Sequence, residues 1–399
     1  MTASTEHTTL PRLALAGTFG GLFCGYLGLT AVIPVLPGFV RERFAAGDFM
    51  VGLVVTATAV TALLIRPVSG GLADRYGHRL VMWLGALVVV VGGLLYFVPL
   101  GLPGLVLVRL LLGVGEAALF TAGAVLTVSL APHSRRGQLI GLYGISMWGG
   151  ISLGTFLGAT LRHFGYPAVW SFSVAAPLVG LLLISSIRAP APTGTAVRAA
   201  APTGAPSGGG HALLIRPALL PGTALALAAA GYAGLAAFVV LHLQARGVHS
   251  AVVVLSCFSA VYAGTRLFIG HLPDQLGPRR VALWSGIGEA AGLLVIAAAP
   301  NLAVAVLGSV VMGVGFSLLH PSLALMVINR TEKSKQGAAI GAYTSFWDLG
   351  LAVWGPVTGI VASGLGYPAV FVVGAFGGAA AAALALWIDR PAPQPAEVS

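Results

Sequence analysis

Long apolar stretches alternate with short polar connections along almost the whole chain, and few of the stretches carry a charge. Stretches of roughly 18 to 27 residues match the length a helix needs to cross a bilayer. They predict twelve helices, near residues 12–38, 51–70, 80–100, 104–131, 138–161, 166–188, 217–243, 250–271, 280–299, 302–328, 337–361 and 367–388. The expected class is therefore an all-α integral membrane protein. The first stretch contains Pro34 and Pro37 and no small-x-small cleavage site ahead of polar sequence, so it reads as a span and not as a removable leader.

The polar connections repeat. Arg66, Gly70, Asp74, Gly77 and Arg79 in IRPVSGGLADRYGHR return 200 positions later as Arg266, Gly270, Asp274, Gly277 and Arg279 in TRLFIGHLPDQLGPRR. Gly113-Val114-Gly115 recurs as Gly313-Val314-Gly315, and Gly137, Gly141 and Tyr143 recur as Gly337, Gly341 and Tyr343. Gly165-Tyr166-Pro167-Ala168-Val169 returns as Gly366-Tyr367-Pro368-Ala369-Val370, one residue out of register. A duplication on this scale in a membrane chain predicts a two-lobed transporter. The expected organisation is a six-helix half at 1–188, a linker at 189–216, a second six-helix half at 217–390 and a tail at 391–399. The linker's APAPTGTAVRAAAPTGAPSGGG lacks apolar bulk and reads as flexible.

Composition supports lipid as the solvent, since 57% of the 399 residues are hydrophobic and only 8% are charged. A net charge of +10 could indicate nucleic acid, but its distribution argues against that partner. Leaving aside Arg66, Arg109 and Arg266 within spans, Arg12, Arg75, Arg79, Arg135, Arg136, Arg188, Arg198, Arg216, Arg279, Arg280, Arg330, Lys333, Lys335 and Arg390 fall in the loops and span ends of one side, against Arg41, Arg43, Arg162 and Arg246 on the other. The positive-inside rule then puts both termini in the cytoplasm. Cys24 and Cys257 lie inside predicted spans and form no disulfide framework.

The loop Gly70-x-Leu72-Ala73-Asp74-Arg75-x-Gly77-x-Arg79 resembles the signature loop of the major facilitator superfamily, and the copy at Gly270–Arg280 lies where that superfamily has a second one. Arg109-x-x-x-Gly113 resembles its helix-four motif. Gly150-x-x-x-Gly154-Thr155-x-x-Gly158 resembles its helix-five antiporter motif, with Thr155 in place of the proline and Ala159 in place of the second glycine. The resemblance is closest to bacterial drug and sugar exporters, including the arabinose-efflux-like branch. It implies a monomer in the bacterial cytoplasmic membrane, a central cavity lined by helices one, four, seven and ten, and no cofactor or metal. It also implies that Asp74 meets the start of helix eleven, near Gly337, when the cytoplasmic side is closed. Independently of the resemblance, a tight reversal between helices needs a glycine that accepts positive φ, which Gly77 and Gly277 supply, and a carboxylate that can cap a helix N-terminus.

Of eleven acidic residues, only Glu116, Glu289 and Asp348 fall at membrane depth. A charge there is costly and marks function by default. Glu116 and Asp348 lie near the midplane, the depth of a transporter's binding site, and are the expected carriers of proton or substrate; a static buried ion pair is the alternative role. Glu289 sits on a peripheral helix and is expected to serve packing, with handling of proton or substrate as its alternative role. Arg109 stands seven positions before Glu116, roughly 10 Å away along one helical face, and so needs another partner. Arg66 and Arg266 are expected to snorkel to the cytoplasmic face. His320, next to Pro321, is the one histidine deep in a span and reads as a satisfied polar group and not a metal ligand. Tyr26, Tyr143, Trp148, Tyr232, Tyr343 and Trp347, with Phe19, Phe23, Phe238 and Phe346, are candidates for stacking on an organic substrate. The glycine runs at Gly17, Gly21 and Gly25, at Gly150, Gly154 and Gly158, and at Gly355 and Gly359 allow close helix crossings. Gly113-x-Gly115-x-x-Ala118 is no dinucleotide fingerprint, because no strand precedes it.

These features point to proton-coupled efflux of a small amphipathic molecule, with cationic cargo expected and neutral sugars or anionic metallophores as alternatives. A midplane carboxyl can bind proton and substrate in turn, because desolvation strengthens its hold on a proton. The alternative transport reading is a uniporter or proton symporter importing a sugar or other small nutrient. A membrane enzyme would need a nucleophile with its base or clustered metal ligands, and an ATP-driven pump would need a P-loop; the sequence contains none of these.

Overall fold

Two prolines shape the first crossing. Helix α1 (Arg12–Ala31) stops before Pro34, the backbone passes through a short turn bonded from Ile33 N–H to the Thr30 carbonyl, and α2 (Leu36–Phe44) resumes with Pro37 in its first turn. The computed structural model describes residues 12–131, 136–187, 216–248, 250–332 and 336–388. The rest of the first half is α3 (Asp48–Tyr76), α4 (His78–Leu95), α5 (Gly101–Leu130), α6 (Arg136–Leu161) and α7 (Tyr166–Ser185). The second half holds α8 (Arg216–Ala245), α9 (Val252–Ile269), a short α10 (Leu272–Leu276), α11 (Pro278–Ala298), α12 (Leu302–Asn329), α13 (Gln336–Leu365) and α14 (Tyr367–Ile388).

Among the described residues, eleven helices are long and apolar enough to cross a membrane, with α1 and α2 counted as one. The twelfth crossing is α6, 26 residues long, whose apolar content is diluted by glycine, serine and threonine. Large apolar side chains such as Leu64, Leu107, Phe268, Trp284, Phe376 and Trp387 stand exposed on the bundle surface, where lipid replaces water. The expected linker, apart from Arg216, and the expected tail lie outside the described residues.

The duplication is visible in the packing. In the first half α5 packs on α3 and α4, while α1 packs on α6 and α7; in the second half α12 packs on α9 and α11, while α8 packs on α13 and α14. The repeated glycines make the same turns, with φ of 98° at Gly77 and 87° at Gly277, and 95° at Gly165 and 82° at Gly366. A side chain at these positions would be strained, so only glycine closes the turn cheaply.

The halves meet along α3 and α13 and along α6 and α9. Toward the α2 end the contact is backbone on backbone: a Cβ at Gly52 would lie 2.1 Å from the Gly355 carbonyl oxygen, and one at Gly359 would lie 2.6 Å from that of Asp48. The Asp48 carboxylate pairs with Arg41 and accepts a 3.3 Å hydrogen bond from the Tyr367 hydroxyl of the other half. This end of the bundle is closed.

Candidate functional site

A cavity of about 340 Å³ lies between the halves. Helix α1 contributes Tyr26, α3 Arg66, α5 Arg109 and Glu116, and α6 Tyr143 and Trp148; across from them stand Tyr232 of α8, Tyr262 and Arg266 of α9, Phe316 and His320 of α12, and Trp347 and Asp348 of α13. Glu116 lies midway along α5, and the two midplane acids of the sequence thus face one space.

Asp348 is buried and takes both hydrogen bonds of an Arg66 fork, Nε to Oδ2 at 2.5 Å and Nη2 to Oδ1 at 3.1 Å. Arg66 does not snorkel. Helix α3 continues to Tyr76, past the expected end near residue 70, so Arg66 sits more than two turns inside it and reaches the α13 midpoint. Its guanidinium also rides over the Phe120 ring, 5.1 Å from the centroid. Arg266 is likewise inside, lining the cavity and donating through Nη1 to the Ser317 carbonyl at 3.1 Å.

Glu116 accepts a long hydrogen bond, 3.3 Å, from the Tyr26 hydroxyl, and its carboxylate has no ion pair among the described residues. Arg109 finds its partners on α3: Nε donates to the Val54 carbonyl at 2.9 Å and Nη2 to that of Val55 at 2.7 Å. One turn on, a Cβ at Gly113 would lie 2.1 Å from the Thr58 carbonyl oxygen, so Arg109 and Gly113 together stitch α5 tightly to α3.

His320 borders the cavity, and its carbonyl accepts the Tyr343 hydroxyl at 2.8 Å. Of the ten aromatic candidates, Tyr26, Tyr143, Trp148, Tyr232 and Trp347 line the cavity, while Phe19, Phe23, Phe238, Phe346 and Tyr343, the last fully buried behind His320, do not. Tyr232, Phe316 and Trp347 form one aromatic wall, with Tyr232 and Phe316 stacked at 6.1 Å. Trp148 reaches across the halves to within 3.8 Å of the Tyr262 ring centroid. Glu289 is sealed inside the second half, away from this space.

The description "Major Facilitator Superfamily" fits residues 18–254 and 247–399 of the chain, nearly its whole length. The chain belongs to the major facilitator superfamily. It is a multi-pass membrane transporter and not an enzyme. Its sequence is 32% identical over 378 residues to the uncharacterized MFS-type transporter YhhS of Escherichia coli K12, covering 92% of this chain and 89% of that one. It is 29% identical over 397 residues to an uncharacterized MFS-type transporter of Burkholderia mallei SAVP1, covering 96% and 95%. Two solved structures share the fold: the human organic anion transporter MFSD10, with TM-score 0.69, 20% identity and coverage of 95% and 100%, and the nucleoside transporter NupG, with TM-score 0.76, 12% identity and coverage of 94% and 100%.

In this superfamily transporter the signature loop is tied down locally. Arg79 donates to the terminal carbonyls of α7, Ile184 at 3.3 Å and Ser185 at 2.5 Å, a favourable use of a cation at a helix C-terminus. Asp74 faces His78 at 3.4 Å and Arg75 lies over Tyr76, while Asp274 is exposed on α10. The side chains at the α13 start near Gly337, the implied partner of Asp74, lie outside the described residues. Gly150, Gly154 and Gly158 place α6 directly on the α1 backbone at Phe23, Leu27 and Ala31.

Proposed function

We propose that this transporter moves a small amphipathic organic molecule out of the cell in exchange for protons, by alternating exposure of the central cavity. The observation that carries the reading is the Arg66–Asp348 pair. It joins the two halves beside Glu116, so any rearrangement that separates α3 from α13 must break it and rearrange the cavity's charges. Glu116 is the proton carrier in this reading: it is at the cavity wall, held by one long hydrogen bond, and free of a permanent counter-ion. Proton and cargo compete for the same space, which makes the movement an exchange. The transporter acts as a monomer in the bacterial inner membrane with both termini in the cytoplasm.

Charge favours anionic cargo over the cationic cargo expected from the sequence. Three arginines and two carboxylates line the cavity, and one arginine is already neutralised by Asp348. The repeat places Trp148 where Asp348 has its counterpart, so Arg266, the counterpart of Arg66, has an aromatic ring at the position of its acid. A carboxylate or phosphate beside an aromatic body fits that arrangement. MFSD10, which shares the fold, is itself named an organic anion transporter.

Thr155 supports the second reading, proton-driven import. Its hydroxyl bonds back to the Ile151 carbonyl at 2.8 Å inside an unbroken α6, at the position where the antiporter motif has a proline. Purified protein in liposomes with an imposed pH gradient separates the readings by direction. Exchange predicts that a proton gradient drives cargo opposite to proton flow; movement with the protons would select import. Growth of cells with and without the gene across a compound panel identifies the cargo.

A further inference from the structure

Glu289 has no exposed surface, and neither of its carboxylate oxygens has a hydrogen-bond partner among the described residues. It projects from α11 into a space walled by three other helices. On α8, a Cβ at Gly231 would lie 2.6 Å from Glu289 Oε1; on α14, one at Gly378 would lie 3.2 Å from the carboxyl carbon; on α12, Gly315 abuts the Glu289 backbone nitrogen and Met312 stands close to Gly231. None of these faces brings a charged or titratable side chain to the carboxyl, since Tyr232, the next residue on α8, turns into the central cavity.

Packing does not require an acid here, as the duplication makes plain. In the first half, a Cβ at Gly115 would lie 2.9 Å from both the Gly85 carbonyl oxygen and Val89 Cγ2; in the second, one at Gly315 would lie 2.6 Å from both the Ser285 carbonyl oxygen and the Glu289 nitrogen. The α11–α12 crossing repeats the α4–α5 crossing, and Glu289 stands where Val89, equally buried and of nearly the same volume, serves the other half. The fold closes with a hydrocarbon at this point. A carboxylate without partners in such surroundings is among the costliest groups a protein can bury, and it escapes that cost by taking a proton.

We propose that Glu289 is a proton-binding site of the second half, carried as the neutral acid in the conformation described and exchanged with cavity water when α8 moves off α11. The proton passes between a carboxyl oxygen and water, and no other bond changes. Gly231 makes this possible structurally: it covers Oε1 with no side chain, and the turn of α8 it belongs to is the wall shared with the cavity through Tyr232. The site is separate from Glu116 and stands whether or not transport is coupled through that residue.

Infrared spectra of the full chain in lipid nanodiscs, as wild type and E289Q, test this directly. The expected result is a neutral-carboxyl stretch near neutral pH in the wild type that is lost in E289Q and that shifts when the protein is moved into heavy water. Identical spectra would mean that Glu289 is ionised in place, and a band that never shifts would mean that the proton is locked; either overturns the proposal. E289V, which copies Val89, should melt no lower than the wild type. A protein that folds as E289Q but not as E289V would assign the acid to packing and overturn the proposal as well.

Discussion

Arg66 and Asp348, 282 positions apart, meet across the boundary between the two halves through a two-pronged hydrogen bond. Each is largely withdrawn from solvent, the side chains being 17% and 3% exposed, so the charge of one is tolerable only with the other in place. The pair therefore reports on the crossing of α3 and α13 as well as on the chemistry of the cavity.

Removing one partner leaves a buried, unpaired charge, at a cost of about 3 to 5 kcal/mol. Arg66→Gln and Asp348→Asn should each lower the melting temperature substantially in detergent. The double variant should melt well above the sum of the two losses, because two neutral amides can face each other. Simple additivity in this cycle would show that the two groups act separately.

Gly355 is the tightest point of the closed end, where a Cβ would lie 1.7 Å from Thr56 Oγ1 and 2.8 Å from the Gly52 carbonyl oxygen. Gly355→Ala must push α13 from α3 and disfavour closure. Labelling of a Val51→Cys probe, fully buried beside Gly52 in the closed end, by a membrane-impermeant thiol reagent should rise about tenfold, which corresponds to about 1.4 kcal/mol between the two conformations. Gly71→Ala, on the same α3 with nothing within 4 Å of its Cβ, is the control and should leave labelling unchanged.

Arg266 is expected to hold the anionic end of the cargo. Arg266→Gln should raise the half-saturating concentration of an anionic substrate by roughly 10- to 100-fold, the worth of a hydrogen bond to a charged group, and leave a neutral analogue little affected. Trp148→Asp supplies the acid that the repeat puts at the equivalent of Asp348, and it should weaken anion transport in the same direction. Equal effects on the charged and neutral compounds would remove Arg266 from cargo recognition.

Much of the architecture is legible from the chain because its causes are local. Span positions and the positive-φ turns at Gly77 and Gly277 follow from apolar run length and backbone sterics; the first crossing, expected as one helix over 12–38, is instead interrupted between Ala31 and Leu36 at Pro34. Glu116, Asp348 and five of the ten aromatic candidates line the central cavity, where a charge or ring at midplane depth is visible from position alone. The partners are not. Arg66 reads as a helix-end residue because the polar SGGLADRY segment looks like a loop, whereas α3 continues through it to Tyr76. The signal that could have found it is the duplication itself, which sets an arginine at both 66 and 266. Tyr343 shows the converse, a ring on a cavity helix whose hydroxyl is used up by the His320 carbonyl.

The central claim is that Glu116 carries the proton in the cavity shared by the two halves. Substrate flux driven by an imposed pH gradient, measured in liposomes containing wild type or Glu116→Gln, tests it most directly. The account predicts that the wild type concentrates substrate against its gradient while Glu116→Gln only lets it equilibrate. Undiminished gradient-driven accumulation by Glu116→Gln would contradict it.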